Sequence, residues 1–167
     1  MKHNYCLECN DIILKPMSEV DSEKYRKFRN NPEVRKWFVY SEPISEAAQK
    51  KWYLNYLDKT DEVMFSVFDR NEVFIGGCSI YEIDFAKREA EFGRIIIDKA
   101  SVQTTGTGVK VVDAIKSIAK EQMNLRRLYL SVYTDNVAAI KTYMRCGFTE
   151  IFTEKNEENM RHMEVIL

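Results

Sequence analysis

The sequence predicts a mixed α+β domain of about seven strands and about four helices, in the order β-α-α-β-β-β-α-β-α-β-β. Three observations predict it. Three strand candidates follow one another between residues 63 and 97, with only short turns between them. A β-branched run, Arg94-Ile95-Ile96-Ile97, leads through a glycine-containing loop into a helical pattern. Further stretches carry helix-start signals or apolar residues at helical spacing. A length of 167 residues suits one domain with a real core.

Residues 1–10 read as an N-terminal extension and residues 11–167 as the domain. Residues 11–17 make a plausible first strand, with Pro16 placing it at an edge or ending it. Ser18-Glu19-Val20-Asp21 has the form of a capping box. The helix it starts runs to about Arg29, and Asn30-Asn31-Pro32 breaks it. Residues 33–40 read as irregular and hold Trp37, Phe38 and Tyr40. A second helix starts near Ser45, with Ala48, Trp52, Tyr53, Tyr56 and Leu57 as its apolar face.

Residues 63–68, 73–83 and 89–97 are the consecutive strands, joined by hairpin turns. Gly76-Gly77 inside the middle one predicts a bulge or a close backbone approach. A long helix follows over 108–122, with Val111, Val112, Ile115, Ile118 and Ala119 inward. Residues 128–133 form a buried strand. Asp135 or Asn136 caps the last helix, with Val137, Ile140 and Met144 inward and Gly147 ending it. Residues 148–153 and 160–167 are the final strands, with a turn at 156–159.

The loop between the strand at 89–97 and the helix at 108 is Gln103-Thr104-Thr105-Gly106-Thr107-Gly108, followed by Val109. A helix N-terminus offers unpaired N–H groups and a partial positive charge, which suit a phosphate. The loop lacks the Gly-Lys-Ser/Thr ending of a P-loop. It also lacks the third glycine of the dinucleotide fingerprint, because Val111 stands there. Net charge is −1, so neither nucleic acid nor a membrane is an expected partner of the whole molecule. Residues 99–145, however, carry eight Lys/Arg against three Asp/Glu, an excess that would attract a polyanion to this loop.

The N-terminal stretch has no apolar core of a signal peptide, which gives a cytoplasmic expectation. The four cysteines are then expected to be reduced. Cys6-x-x-Cys9 with His3 is half a zinc pattern without its second half, so no metal is expected.

Gln-x-x-Gly-x-Gly at 103–108 resembles the acetyl-CoA pyrophosphate loop of the GCN5-related N-acetyltransferases (GNAT). Asn136-Val-Ala-Ala-Ile-Lys-Thr-Tyr143-Met-Arg-Cys-Gly147-Phe148 resembles that family's C-terminal signature, and one helix and one strand separate the two motifs. The resemblance spans about residues 11–167 and is nearest to the ribosomal-protein and amino-sugar acetyltransferases. It implies a twisted, mostly antiparallel sheet splayed around a CoA site, and acetyl transfer from acetyl-CoA to a primary amine by direct attack.

It also implies residue roles. The main chain of Gln103, Thr104, Thr105, Gly106, Thr107, Gly108 and Val109 would hold the pyrophosphate. Ile95, Ile96 and Ile97 would pair with the pantetheine arm, and Asn136 would hydrogen-bond it. Tyr143 would also meet the cofactor and would protonate the leaving thiolate. A phenol has an unperturbed pKa of about 10, so it is a weak acid for this task. Glu91 is the candidate base. It shares a strand face with Glu89 by the period-two rule, and Glu91-Phe92-Gly93 resembles the Glu-x-Gly of the ribosomal-protein type. Other members use a Glu on the next strand, where this chain has Ser131.

For the acceptor, residues 29–38 and 49–53 resemble acetyltransferases of nucleotide-linked 4-amino sugars. Arg29 and Arg35 would meet a phosphate and Trp37 would stack, with Phe38 and Tyr40 also facing the ligand. A protein N-terminal amine is the alternative acceptor. A polyamine would want a more acidic pocket than residues 18–60 suggest. A non-catalytic acyl-CoA-binding module is the alternative of another class. A monomer or homodimer is expected.

Overall fold

A computed structural model describes residues 2–98, 100–102, 105–152 and 159–167. The chain forms β1 (Leu7–Cys9), β2 (Ile12–Pro16), α1 (Glu19–Arg29), α2 (Pro32–Arg35), α3 (Glu46–Asp58), β3 (Val63–Asp69), β4 (Phe74–Asp84) and β5 (Glu89–Ile97). Then come α4 (Thr107–Ser117), β6 (Arg127–Tyr133), α5 (Val137–Arg145), β7 (Thr149–Ile151) and β8 (Met160–Ile166). All eight strands lie in one sheet, in the order β1-β2-β3-β4-β5-β6-β8-β7. Every neighbouring pair is antiparallel except β5–β6, which is parallel and joined through α4.

Two elements go beyond the sequence reading. Residues 1–10 are not a bare extension, because Leu7–Cys9 pairs with β2. The turn between them is Asn10-Asp11, both at positive φ (50° and 66°), a conformation these residue types tolerate and tight hairpins require. The stretch after Asn30 is not wholly irregular either. Asn31 accepts from the Glu33 N–H at 3.0 Å and Pro32 fits the first turn, so a short helix forms where a break was expected.

Strand alternation divides the core between the two sheet faces. Phe65 and Val67 point to the face covered by α4 and α5, while Met64 points to the face covered by α1 and α3. All five inward residues expected for α4 are buried, but the α-helix ends at Ser117 and a wider π turn, Ile118–Gln122, completes it. Two helical faces differ from expectation. In α3 the buried residues are Gln49, Tyr53 and Tyr56, with Trp52 half-buried, whereas Ala48 and Leu57 face solvent. In α5, Ile140 and Tyr143 are buried, while Val137 and Met144 are 52% and 61% exposed. Apolar spacing alone fits several rotations of a helix about its axis, and packing selects one.

The expected cap at Ser18 forms in a modified way. The Ser18 hydroxyl accepts from the Asp21 N–H at 3.1 Å. The Asp21 carboxylate turns inward, accepting from the Ser18 hydroxyl at 2.8 Å and from the Ser66 hydroxyl on β3 at 3.1 Å. Asp21 thus ties α1 to the sheet. Asp21→Ala should destabilise the protein by about 1–3 kcal/mol in urea unfolding, because two hydroxyls lose a charged acceptor. A change within about 0.5 kcal/mol would show that the tie carries no stability.

Candidate active site

β5 and β6 pair over only three positions: Glu89↔Arg127, Ala90↔Leu128 and Glu91↔Tyr129. Beyond Glu91 the two strands part. The opposite side of β5 explains the bend. Gly77 pairs with Ile96 and Ser79 with Gly93, so Arg94 and Ile95 together face Cys78 in a bulge. Arg94 takes a φ of 53° there. A bulge bends and twists its strand, leaving the β6-facing edge of β5 beyond Glu91 with main-chain groups that no strand pairs among the described residues. The expected close approach is at Gly76, where a Cβ would collide with the Ile96 carbonyl oxygen.

The resulting wedge opens into a cleft of about 1230 Å³. Ile95, Ile96, Ile97, Asn136 and Tyr143 wall the wedge. Arg29, Trp37, Phe38 and Tyr40 wall the end formed by α1, α2 and the segment after it. Tyr81, Glu91, Gly93 and Arg94 also line the cleft. Eight of the residues selected from sequence for the wedge and acceptor end, together with the candidate base and acid, therefore share one space. Arg35 is not among the cleft walls.

At the head of α4, the N-cap residue Gly106 adopts φ 81° and has no side chain with which to cap the helix. Only a residue without a Cβ takes that conformation cheaply. Thr105, Gly106, Thr107, Gly108 and Val109 are described, while Gln103 and Thr104 lie outside the described residues. The basic excess near this loop is partly engaged elsewhere. Lys110 pairs with Asp11 at 3.5 Å, Lys116 donates to the Cys146 carbonyl at 2.6 Å, and Arg127 bridges Glu89 and Glu164 at 2.8 and 2.6 Å.

Tyr143 projects from α5 between Phe92 and Phe148, with ring centroids 6.3 and 5.8 Å away. Burial pushes its phenol well above the usual tyrosine range. Glu91 is half-buried and accepts from the Tyr81 hydroxyl at 2.8 Å. Burial raises its pKa, the Tyr81 hydrogen bond works against that, and the Glu82 charge adds to it. Glu89 shares its strand face, as the alternation requires, but serves an ion pair with Arg127.

Arg29 is 5% exposed. Its Nη2 donates to the Tyr40 carbonyl, its guanidinium carbon lies 3.7 Å from the Phe38 ring centroid, and its Nη1 has no hydrogen-bond partner among the described residues. Burial lowers its pKa. Among the described residues no group of three His, Cys, Asp or Glu could hold a metal, and no helix is long and apolar enough to cross a membrane. The four cysteines are free thiols.

The family model of the acetyltransferase (GNAT) domain matches residues 11–149. The chain belongs to the GNAT acetyltransferases. It is 25% identical over 142 residues to the spermidine N(1)-acetyltransferase of Vibrio cholerae, covering 84% of this chain and 80% of that protein. It is 26% identical over 141 residues to the acetyltransferase PseH of Campylobacter jejuni, covering 83% and 85%. The crystal structure of the Vibrio cholerae spermidine N-acetyltransferase with CoA and spermine superposes with a TM-score of 0.82 at 24% identity, over 93% of this chain and 95% of that one. A dodecameric structure of that enzyme superposes with a TM-score of 0.75.

The cleft of this N-acetyltransferase also holds Tyr81 and Arg94, which the sequence reading did not select for the site, and the buried Glu62 pairs with Arg94. Tyr81 and Glu91 are register partners on β4 and β5. Ten residues separate them in the chain, and only the pairing of the strands brings them together. No local spacing signal marks either Arg94 or Glu62.

Proposed function

We propose that this enzyme transfers an acetyl group from acetyl-CoA to the primary amine of a small acceptor that also carries an anionic group, such as a nucleotide-linked amino sugar. The observation that carries this reading is Arg29: a buried guanidinium at the acceptor end of the cleft with one nitrogen left without a partner among the described residues. An unpaired buried donor is costly, and an anionic oxygen is its strongest complement. The same positive charge opposes a polycationic acceptor. The relative PseH agrees with an amino-sugar acceptor, and the spermidine acetyltransferase relative supplies the competing one.

The wedge fits acetyl-CoA. The start of α4, with Gly106 at φ 81°, points N–H groups toward the place a pyrophosphate would take. The open edge of β5 at residues 95–97 offers main-chain groups to the pantetheine arm, in the manner of an added strand. Asn136 caps α5 through its Oδ1, which accepts from the Ala139 N–H at 3.3 Å, leaving its amide NH₂ to meet the arm. Acetyl-CoA supplies a thioester, an acyl donor that an unprotonated amine attacks. Glu91 takes the proton the amine must lose, and burial, by raising its pKa, makes it a stronger base than a free carboxylate. Tyr143 gives its hydroxyl proton to the departing sulfur. Its raised pKa keeps the hydroxyl protonated in the resting site, where it can donate.

Thiol release with acetyl-CoA should be measured against a nucleotide-linked 4-amino sugar, spermidine and an N-terminal peptide. Turnover should be fastest with the amino sugar. Arg29→Met should raise its KM about 10- to 100-fold, the worth of a charge-assisted hydrogen bond, and leave the KM of acetyl-CoA unchanged. Efficient spermidine turnover that survives Arg29→Met would overturn the acceptor reading.

A further inference from the structure

Behind Glu91 stands a chain of polar groups that the transfer itself does not need. Glu62, just before β3, is 2% exposed. Its carboxylate pairs with Arg94 and, at 2.5 Å, with Lys59. Arg94 sits in the β5 bulge, and its carbonyl accepts from the buried Tyr25 hydroxyl at 2.7 Å. Its guanidinium lies 4.3 Å from the centroid of the Tyr81 ring. The Tyr81 hydroxyl in turn donates to Glu91.

Gly93 completes the arrangement. A Cβ there would lie 2.9 Å from the Tyr81 hydroxyl oxygen and 3.3 Å from a ring carbon, so a side chain would push Tyr81 away from Glu91. This gives a physical reason for glycine two residues after the glutamate.

A buried ion pair is weak evidence for stability, because desolvating both charges offsets their attraction. Its position here suggests another task. We propose that Glu62, Arg94 and Tyr81 are positioning residues that hold the Glu91 carboxylate toward the acceptor amine and set its proton affinity. Tyr81 occupies one carboxylate oxygen and so fixes the rotamer, leaving the other for the amine. Arg94 holds the Tyr81 ring from its face and places a positive charge near Glu91. Glu62 holds Arg94 and moderates that charge. The groups around Glu91 are Tyr81 and Glu82 on β4, Arg94 on its own strand, Tyr129 on β6 and His162 on β8.

The proposal rests on Glu91 being the base, and its signs are opposite for two variants. Tyr81→Phe removes a hydrogen bond that favours the charged carboxylate while leaving it buried, so Glu91 should titrate higher. Glu62→Gln removes a negative charge and leaves Arg94 less compensated, so Glu91 should titrate lower. The carboxyl carbon of Glu91, followed by NMR in ¹³C-Glu-labelled full-length protein and assigned by its loss in Glu91→Gln, reports this without any acceptor. Tyr81→Phe should raise the midpoint by about one pH unit, the worth of a hydrogen bond to a charged group. Glu62→Gln should lower it. Midpoints that stay in place in Tyr81→Phe, or that move the same way in both variants, would overturn the proposal. Turnover by Glu91→Gln tests the base assignment separately. If that variant keeps the acidic limb of the kcat profile, Glu91 is not the base, whatever the NMR midpoints do.

Discussion

Tyr143→Phe should lower kcat by about 10²- to 10³-fold while the KM of acetyl-CoA stays within about twofold. The substitution removes one hydroxyl and keeps the ring, so the contacts with Phe92 and Phe148 persist. The melting temperature should therefore move by no more than about 2 °C, which separates a chemical loss from a folding one. The size of the loss follows from the leaving group. Without a donor, the sulfur departs as a thiolate inside a largely apolar enclosure, where charge is poorly solvated. The deficit should be greatest with the natural thioester and shrink with acyl donors whose leaving groups are more acidic. A Tyr143→Phe enzyme with full turnover would remove Tyr143 from the chemistry and leave it as a wall of the wedge.

Phe92→Ala is expected to be the most damaging single truncation to stability near the site. Phe92 is 1% exposed and directly follows the last position at which β5 and β6 pair. It meets Tyr143 edge-on in the core beneath the wedge. Truncating a buried phenylalanine costs about 3–5 kcal/mol through lost burial and the cavity left behind. In a chain of this length that corresponds to a fall in melting temperature of roughly 10 °C. Activity should also fall at temperatures where the variant is folded, because Tyr143 loses one of the two rings that hold it. A loss under about 1 kcal/mol in denaturant unfolding would mean that the surroundings collapse onto the gap.

The local parts of this structure were legible because local chemistry specifies them. Ser18, Ser45 and Asn136 each mark a helix start through a side-chain oxygen, and each accepts a backbone N–H there. Gly147, at φ 88°, ends α5 as a residue without a Cβ can. The three consecutive strands could be read within a residue or two, since their turns and alternation lie within a few positions of each other. The short strand Leu7–Cys9 was not read. Three residues carry too little pattern, and its real signal was the Asn10-Asp11 turn.

The sequence by itself determined the family and marked a candidate phosphate loop, acid and base, because short motifs of fixed spacing carry that information within single elements. Only the tertiary structure decided how those residues meet. The parting of β5 from β6 depends on a bulge opposite Cys78, and the bulge depends on the register of two strands. The rotations of α3 and α5, which bury Tyr53 and Tyr143 and expose Leu57 and Val137, depend on the partners they pack against. The setting of Glu91 depends on Tyr81, Arg94 and Glu62, drawn from β4, β5 and the approach to β3. Such contacts join residues distant along the chain. Their energies arise from close packing and exclusion of water, and neither exists until the sheet has formed.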